Sequence, residues 1–286
     1  MVQSDESNQL LPVNLEWSTR FKRYTFSPML DAELQKLFCN AEELLQQARI
    51  VKNSRSTSAG IFSLNGKEYF IKRSNVVSWM ERIRRIGRMS RAARNWMVDA
   101  RVRSAGIATP TIYAAIDTAP GGLPGASYLI TECFPLPMTA GSKFILPVLI
   151  EESGNDQRRL IQRLVKLALK LHANGIEHGD LKLNNVLAVR QSSGEFTLGL
   201  FDFDGSVLHR NACSDTVRIR DLARMASSMF IRCCQIGIEC DYRTNLLTWA
   251  AEYAAAGGPD YTENLQYHRR TAKLLPSGLK YRIEAQ

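Results

Sequence analysis

The residues best suited to chemistry in this sequence are His178-Gly179-Asp180-Leu181-Lys182-Leu183-Asn184-Asn185, followed further on by Asp202-Phe203-Asp204. An Asp, a Lys two residues on, an Asn five residues on and a second Asp after a later apolar run are the parts that phosphoryl transfer needs. That reaction asks little covalent work of a protein and much positioning of charge. One carboxylate must hold the attacking hydroxyl, while an amide and a second carboxylate hold the magnesium that bridges the phosphates of ATP. The plain alternative is an acidic helix-to-strand turn. The surrounding string, from Leu171-His172 through Ile176-Glu177 into the loop and on to Val186-Leu187 and Leu200-Phe201, is hard to reach by accident.

These groups must be positioned by the elements around them. Leu160, Ile161, Leu164, Leu167, Ala168 and Leu171 share one face, which predicts a helix over 157–174 that delivers the chain to the loop. Val186–Val189 and Phe196–Phe201 read as a hairpin that places Asp202 beside Asn185. Arg220-Asp221-Leu222-Ala223-Arg224 opens another helix, where Asp221 either braces the loop or complements the dipole at a helix N-terminus. Upstream, the spacing of Leu30, Leu34, Leu37, Phe38, Ala41, Leu44, Leu45 and Ala48 predicts one amphipathic helix. Strands follow at Arg49–Lys52, Ile61–Leu64 and Glu68–Lys72; the first two are separated by a loop over Ser54–Gly60, the last two by the tight turn Asn65-Gly66. A helix over Ala92–Ser104 stops at Gly106, and two more strands, Thr111–Ile116 and Ser127–Thr131, flank the turn-forming Pro120–Gly125. Residues 1–29 predict no clear element, although Trp17, Phe21, Tyr24 and Phe26 offer apolar anchors.

Length and composition bound the rest. A chain of 286 residues with 45% hydrophobic and 23% charged residues is long enough for a substantial core in one large or two small domains. The longest apolar run, Phe144–Ile150, is short and broken by Pro147, which excludes a spanning helix there. Without a basic and apolar leader at Met1–Glu6, the expected location is cytoplasmic. Six scattered cysteines without a C-x-x-C pair suggest neither a zinc site nor a disulfide framework. The net charge of +9 is concentrated at Arg82, Arg84, Arg85, Arg88, Arg91, Arg94, Arg101 and Arg103, opposed within that block only by Asp99. Such a block suits an anionic partner, because the planar guanidinium is a good phosphate clamp; a solvated helix face is the plain alternative.

The loop and the later Asp resemble the H-x-D-x-x-x-x-N and D-F-G segments of the protein-kinase-like superfamily. Strand, small-residue loop, strand, tight turn and strand ending in Lys resemble the start of a kinase small lobe. The resemblance makes Lys72 the residue that pairs with the α- and β-phosphates, sets Ser58 and Gly60 in the loop over them, and makes Glu132-Cys133-Phe134-Pro135 the hinge that holds adenine. A narrower resemblance rests on Tyr69–Arg73, Arg91–Trp96, Ala105–Pro110, Ser127–Glu132 and His178–Leu181, which together look like the lipopolysaccharide core kinase family. It implies an α+β, bilobal protein-kinase-like fold with a small antiparallel-sheet N-lobe and a mostly helical C-lobe. The expected boundaries are an N-terminal segment and helix at 1–44, the N-lobe at 45–133 and the C-lobe at 134–286. It further implies ATP and Mg2+ as cofactors and, as acceptor, a heptose or Kdo hydroxyl on an anionic glycolipid. The inner-membrane surface would be met peripherally from its cytoplasmic side through the Arg82–Arg103 block, and no nucleic acid is expected. Within that reading Asp180 orients the acceptor hydroxyl and takes its proton, Lys182 neutralises the transferring phosphoryl, and Asn185 and Asp202 hold the metal. His178 braces the loop and His172 is a packed histidine at a helix end.

Three residues depart from the wider superfamily pattern. Asn95 stands where a glutamate partner for Lys72 is often found, with Asp99 one turn on. Gly179 replaces the arginine that reads activation-loop phosphorylation, and no A-P-E follows. The metal loop reads Asp202-Phe203-Asp204, with Gly205 one place late. The missing glutamate keeps a kinase-fold scaffold without catalysis as an alternative. A small-molecule kinase with the same H-G-D loop is another, although a cationic acceptor would be repelled by the arginine block.

Overall fold

The computed structural model describes residues 14–19, 22–134 and 139–279. The chain falls into two compact units. One holds the residues up to Trp96 together with Pro110–Cys133, and the other holds Met97–Thr109 and the residues from Phe134 on.

The first unit is organised by an antiparallel sheet of seven strands: β1 (Asn14–Thr19), β2 (Lys22–Phe26), β3 (Arg49–Asn53), β4 (Thr57–Leu64), β5 (Lys67–Ser74), β6 (Ile112–Thr118) and β7 (Ser127–Glu132). Their order is β1-β2-β6-β7-β5-β4-β3. The turn between β4 and β5 is made by Asn65 (φ 51°) and Gly66 (φ 73°), which fixes Leu64 opposite Lys67 and carries that register along the pair to Thr57 opposite Ser74. Both residues tolerate left-handed backbone, so the hairpin expected from Asn-Gly forms.

Two expectations about this unit need correction. The stretch Leu30–Ala48 is not one helix but two, α1 (Ala32–Phe38) and α2 (Ala41–Gln47). Asp31 caps α1 by accepting from the Leu34 N–H, and Asn40 leaves helical geometry at φ −94°, ψ 40°. Asn is a weak helix former, which makes it a natural place for the interruption. The break lets Phe38 enter an edge-to-face cluster with Phe62 and Tyr69, while Leu37 turns outward.

The loop expected over Ser54–Gly60 is also much shorter. A tight turn closed by reciprocal Ser54 and Thr57 backbone bonds is followed at once by β4, so Ser58 and Gly60 are strand residues. Ser58 pairs with Arg73 on one side and Asn53 on the other, and Gly60 pairs with Ile71 and Ile50. A central strand satisfies its backbone on both edges, which favours extending it over leaving a loop. A Cβ at Gly60 would lie 2.7 Å from the Ala48 Cβ, so the close approach of the segment entering β3 accounts for the glycine.

After β5 come α3 (Trp79–Arg84) and α4 (Arg91–Ser104), the latter running from the first unit into the second and ended by Gly106 at φ 66°.

The second unit is mostly helical: α5 (Ile145–Glu152), α6 (Gln157–Ala173), α7 (Asp215–Ile236), α8 (Tyr242–Ala255) and α9 (Leu265–Lys273). Between α6 and α7 lie β8 (Ile176–Glu177), β9 (Val186–Arg190), β10 (Phe196–Leu200) and β11 (Val207–Leu208). Asp156 caps α6, whose Leu160, Leu164, Ala168 and Leu171 are fully buried in one core with Met225, Met229, Trp249 and Tyr253. Each such large apolar side chain contributes roughly 1.5–3 kcal/mol of transfer free energy. The core therefore holds α6 and α7 firmly on either side of the segment that links them. β9 and β10 pair antiparallel with Val186 opposite Leu200. Among the described residues no helix is long and apolar enough to cross a membrane.

Candidate active site

The loop from His178 to Asn185 runs along one face of α7, and four residues of that helix grip it in sequence. Asp221 accepts from the His178 N–H at 3.0 Å and from the Gly179 N–H at 3.2 Å. Arg224 Nη1 meets Asp180 Oδ1 at 2.7 Å. The Ser228 hydroxyl accepts from the Leu183 N–H at 2.8 Å, and the Arg232 guanidinium donates to Asn184 Oδ1 at 2.9 and 3.2 Å. Steps of three and four residues keep these groups on one side of a helix, so a straight rod reads out a loop running beside it.

Asp221 is fully buried. Burial alone would raise its carboxyl, but the His172 hydrogen bond, the neighbouring imidazoles and the backbone donor of His178 outweigh that and hold it below the ordinary range. His172 Nε2 faces Asp221 at 3.4 Å and its Nδ1 meets the Tyr253 hydroxyl at 2.7 Å. Burial pushes that phenol up to about 12, so it stays protonated and donates. His172 is thus the packed helix-end histidine expected of it. Asp221 braces the loop from well inside α7, not from its N-terminus.

His178 is buried, and desolvation lowers its pKa despite the nearby carboxylates of Asp221, Asp202 and Asp180. Its Nε2 faces the Phe201 carbonyl at 3.2 Å; a carbonyl only accepts, so the proton sits on Nε2. Its carbonyl accepts from the Ser206 hydroxyl at 2.9 Å, and its ring leans on Phe203 with 5.4 Å between centroids. A neutral imidazole held in this way ties the loop to the segment around Asp202.

Asp180 is half-exposed. Lys182 Nζ donates to its Oδ2 at 2.7 Å, and Asn185 Nδ2 reaches the same oxygen at 3.2 Å and the Asp180 carbonyl at 2.9 Å. Phe201, the residue after β10, donates its N–H to the Asn185 carbonyl at 3.2 Å, so the hairpin brings Asp202 next to Asn185 along the backbone. Asp202 adopts left-handed backbone at φ 65°, ψ 63°, uncommon for a residue other than glycine. Gly179 sits at φ 79°, where a Cβ would lie 2.4 Å from the Gly205 carbonyl oxygen. The arginine common in the wider superfamily could not stand there. Among the described residues no group of three or more His, Cys, Asp and Glu side chains gathers around a metal-sized point. The donor set that Asn185 and Asp202 offer is one carboxamide oxygen and one carboxylate.

In the sheet unit, Lys72 lies on β5 between Ala59 of β4 and Leu129 of β7. Ser58 Oγ donates to Asn53 Oδ1 at 3.0 Å. The Glu132 N–H is taken by the Thr111 carbonyl at 2.8 Å, its carboxylate accepts from the Thr111 N–H at 3.2 Å, and its carbonyl accepts from the Thr131 hydroxyl at 3.0 Å. Pro135 lies outside the described residues. Asn95 Nδ2 donates to the Arg91 carbonyl one turn back at 2.9 Å. Both Asp99 oxygens are engaged, by Arg103 at 2.7 Å and Thr109 at 2.9 Å. The arginine block is not uniform: Arg82 binds the carbonyls of Pro120, Leu123 and Pro124, Arg85 pairs with Glu81, and Arg103 pairs with Asp99, while Arg84 and Arg88 are exposed.

Arg224, Ser228 and Arg232 had no assigned place in the sequence reading. Their spacing from Asp221 was visible, but nothing in a single sequence says which loop a helix face meets.

One chain that carries both a sheet unit with a lysine on a central strand and a helical unit with this loop has the parts of a protein-kinase-like phosphotransferase. The family profile "Lipopolysaccharide kinase (Kdo/WaaP) family" matches residues 41–247, most of the 286-residue chain, and the chain belongs to that family. The resemblance drawn from the sequence is borne out, and with it the fold class. The structure of WaaP in complex with acyl carrier protein is similar at TM-score 0.56 and 19% identity, covering 87% of this chain and 99% of that one. A glucosamine kinase with glucosamine, ADP and inorganic phosphate aligns at TM-score 0.43 and 12% identity over 92% of this chain and 81% of its own. Comparison with curated proteins gives no match.

Proposed function

We propose that this lipopolysaccharide kinase transfers the γ-phosphate of ATP to a heptose or Kdo hydroxyl of the inner core, with Asp180 as the group that receives the acceptor hydroxyl. The observation that carries this reading is the fixing of the Asp180 carboxylate from three sides, by Lys182, Asn185 and Arg224, while it stays half-exposed. A carboxylate that only held the fold together would be buried with its partners, as Asp221 is. Held open and oriented, it can take a hydrogen bond from an incoming hydroxyl and then its proton as the oxygen attacks phosphorus. Lys182 and Arg224, both bonded to Asp180, are assigned to stabilise charge on the transferring phosphoryl. Lys72 is assigned the α- and β-phosphates, Ser58 and Gly60 their cover, and the Glu132 carbonyl the adenine.

A magnesium ion fits the residues present. The Asn185 amide nitrogen is spent on Asp180, which leaves its Oδ1 to join the Asp202 carboxylate in a hard oxygen set of the kind that ion takes. When bound, it neutralises charge on the phosphates. Asn185 and Asp202 would hold it, and the His178 bond to Phe201 keeps the two segments carrying them together.

The test is mass spectrometry of lipopolysaccharide core from cells with and without the gene, complemented by the wild-type chain or by Asp180→Asn. Loss of a single phosphate that only the wild-type chain restores is the expected result. An unchanged core, or full restoration by Asp180→Asn, would refute the assignment.

A further inference from the structure

The segment from Val77 to Met89 in the sheet unit exposes apolar side chains that a folded surface ordinarily covers. Trp79 is 70% exposed, Met80 52%, Ile83 49%, Ile86 56% and Met89 45%. In a helix successive residues turn by about 100°, so Trp79, Ile83, Met80 and Arg84 share one side of α3, and Glu81 lies opposite. That opposite side is tied down: Ser78 caps the helix, Glu81 accepts from the Val77 N–H at 2.8 Å and pairs with Arg85, and Arg82 holds the carbonyls of the Pro120–Pro124 turn. The apolar face is therefore presented on a fixed support, with the exposed guanidinium groups of Arg84 and Arg88 among its side chains.

A cavity of about 510 Å³ adjoins it, lined in part by Val77, Arg82, Arg55, Arg73 and Asn75. Two groups there are buried without a hydrogen-bond partner, the donor Arg73 Nε and the acceptor Asn75 Oδ1. An apolar surface, exposed cations and a cavity where Arg73 keeps an unpartnered Nε while its Nη1 pairs with Glu42 at 3.1 Å match the two layers of an anionic bilayer, acyl chains below and phosphates above. Tryptophan favours the boundary between them.

We propose that Val77–Met89 is an interfacial anchor that sets the sheet unit on an anionic membrane surface, with its apolar side chains entering the bilayer and the adjoining arginine-lined cavity taking a lipid phosphate. This extends the membrane contact expected of a glycolipid kinase from charge attraction to insertion, and it does not depend on which sugar is phosphorylated. Val77 belongs both to the exposed stretch and to the cavity lining, so one orientation serves both contacts.

The test uses the full chain with vesicles of phosphatidylcholine alone and of phosphatidylcholine with an equal amount of phosphatidylglycerol. Binding to the anionic vesicles is expected to fall about tenfold or more for each of Trp79→Ser and Ile83→Ser. Arg55→Gln is expected to weaken binding to the anionic vesicles and leave binding to the neutral ones unchanged. Trp79 emission should be quenched by lipids brominated along the acyl chain, read as the difference from Trp79→Phe. Trp79 and Ile83 are exposed and belong to no segment assigned to ATP or acceptor, so in their Ser variants melting temperature and phosphorylation of a detergent-dispersed acceptor should not move; absence of that activity in the wild-type chain would count against the kinase reading instead. Binding that high salt abolishes and that the Ser variants leave intact would overturn insertion. So would apolar variants that change only the oligomeric state in gel filtration, or capture of acyl carrier protein with no vesicle binding.

Discussion

Removal of the Asp221 carboxylate should disable the loop without touching a group that meets substrate. In Asp221→Ala the His178 and Gly179 N–H groups and His172 Nε2 lose their acceptor in a fully buried place. A buried donor left unpaired costs about 1–3 kcal/mol. Two well-formed bonds at 3.0 and 3.2 Å sum to about 2–6 kcal/mol before the long contact at 3.4 Å is counted, a large share of the roughly 5–15 kcal/mol that holds a domain together. The alanine variant is therefore expected to accumulate poorly, and Asp221→Asn is the sharper probe. It keeps one acceptor oxygen and loses the charge, which predicts a loss of about 1–3 kcal/mol, or roughly 3–10 °C in melting temperature. Turnover should fall with it, because Gly179 directly precedes Asp180. The acid limb supplies a second reading. Asp221 is depressed in the fold, so its contribution is complete above the unfolded carboxylate value of about 3.9 and drains away as pH falls through the lower folded value. Wild type should lose stability on acidification in that range more steeply than Asp221→Asn. Thermal denaturation across pH together with steady-state kinetics measures all three quantities. An Asn variant with wild-type melting temperature, turnover and acid limb would refute the bracing role.

Other substitutions separate roles. Asp180→Asn should lower turnover about 10²–10⁴-fold. Its melting temperature should stay near wild type in calorimetry, since its ion pairs are half-exposed and contribute little. Arg224→Ala should lower turnover by up to about 10²-fold through misplacement of Asp180, with the KM for ATP unchanged and Arg224→Lys recovering part of the loss. Gly179→Ala meets both the positive φ and a backbone oxygen 2.4 Å from the new Cβ, and should unfold more easily by at least about 1–2 kcal/mol in a denaturant titration. Gly60→Ala should destabilise through contact with Ala48, and the double variant with Ala48→Gly should recover most of the loss; no recovery would mean the packing account of Gly60 is wrong.

Where local pattern decides structure, the sequence was readable. The Asn65-Gly66 turn, the apolar face of α6, the stop at Gly106 and the β9–β10 hairpin each depend on residues within a few positions of one another. The helix expected over Leu30–Ala48 failed because the periodicity continues across Asn40, while the backbone there answers to Asp31 capping one side and Phe38 seeking the aromatic cluster. The loop expected at Ser54–Gly60 failed because small polar residues read as loop, whereas two flanking strands supply backbone partners that no local signal announces. The loop motif was legible as chemistry; its supports on α7 were not, since they depend on which helix packs beside it.

Those supports bear on how such a loop is kept in order. In a kinase governed by phosphorylation, an arginine next to the aspartate waits for an activation-loop phosphate. Here that position is Gly179, whose backbone closes against Gly205 too tightly for a side chain, and the charge that arginine would bring comes instead from Arg224 on α7. Asp221, Arg224, Ser228 and Arg232 are carried by one helix whose other side is buried with Trp249 and Tyr253 in the core of the same unit, so their spacing is set when the unit folds. Loop order is therefore expected to track the stability of that core. Substitutions that loosen the packing of α7, such as Met229→Ala with an expected cost of about 2–5 kcal/mol, should lower turnover together with melting temperature, whereas a switch-controlled loop would lose stability first and activity only at unfolding.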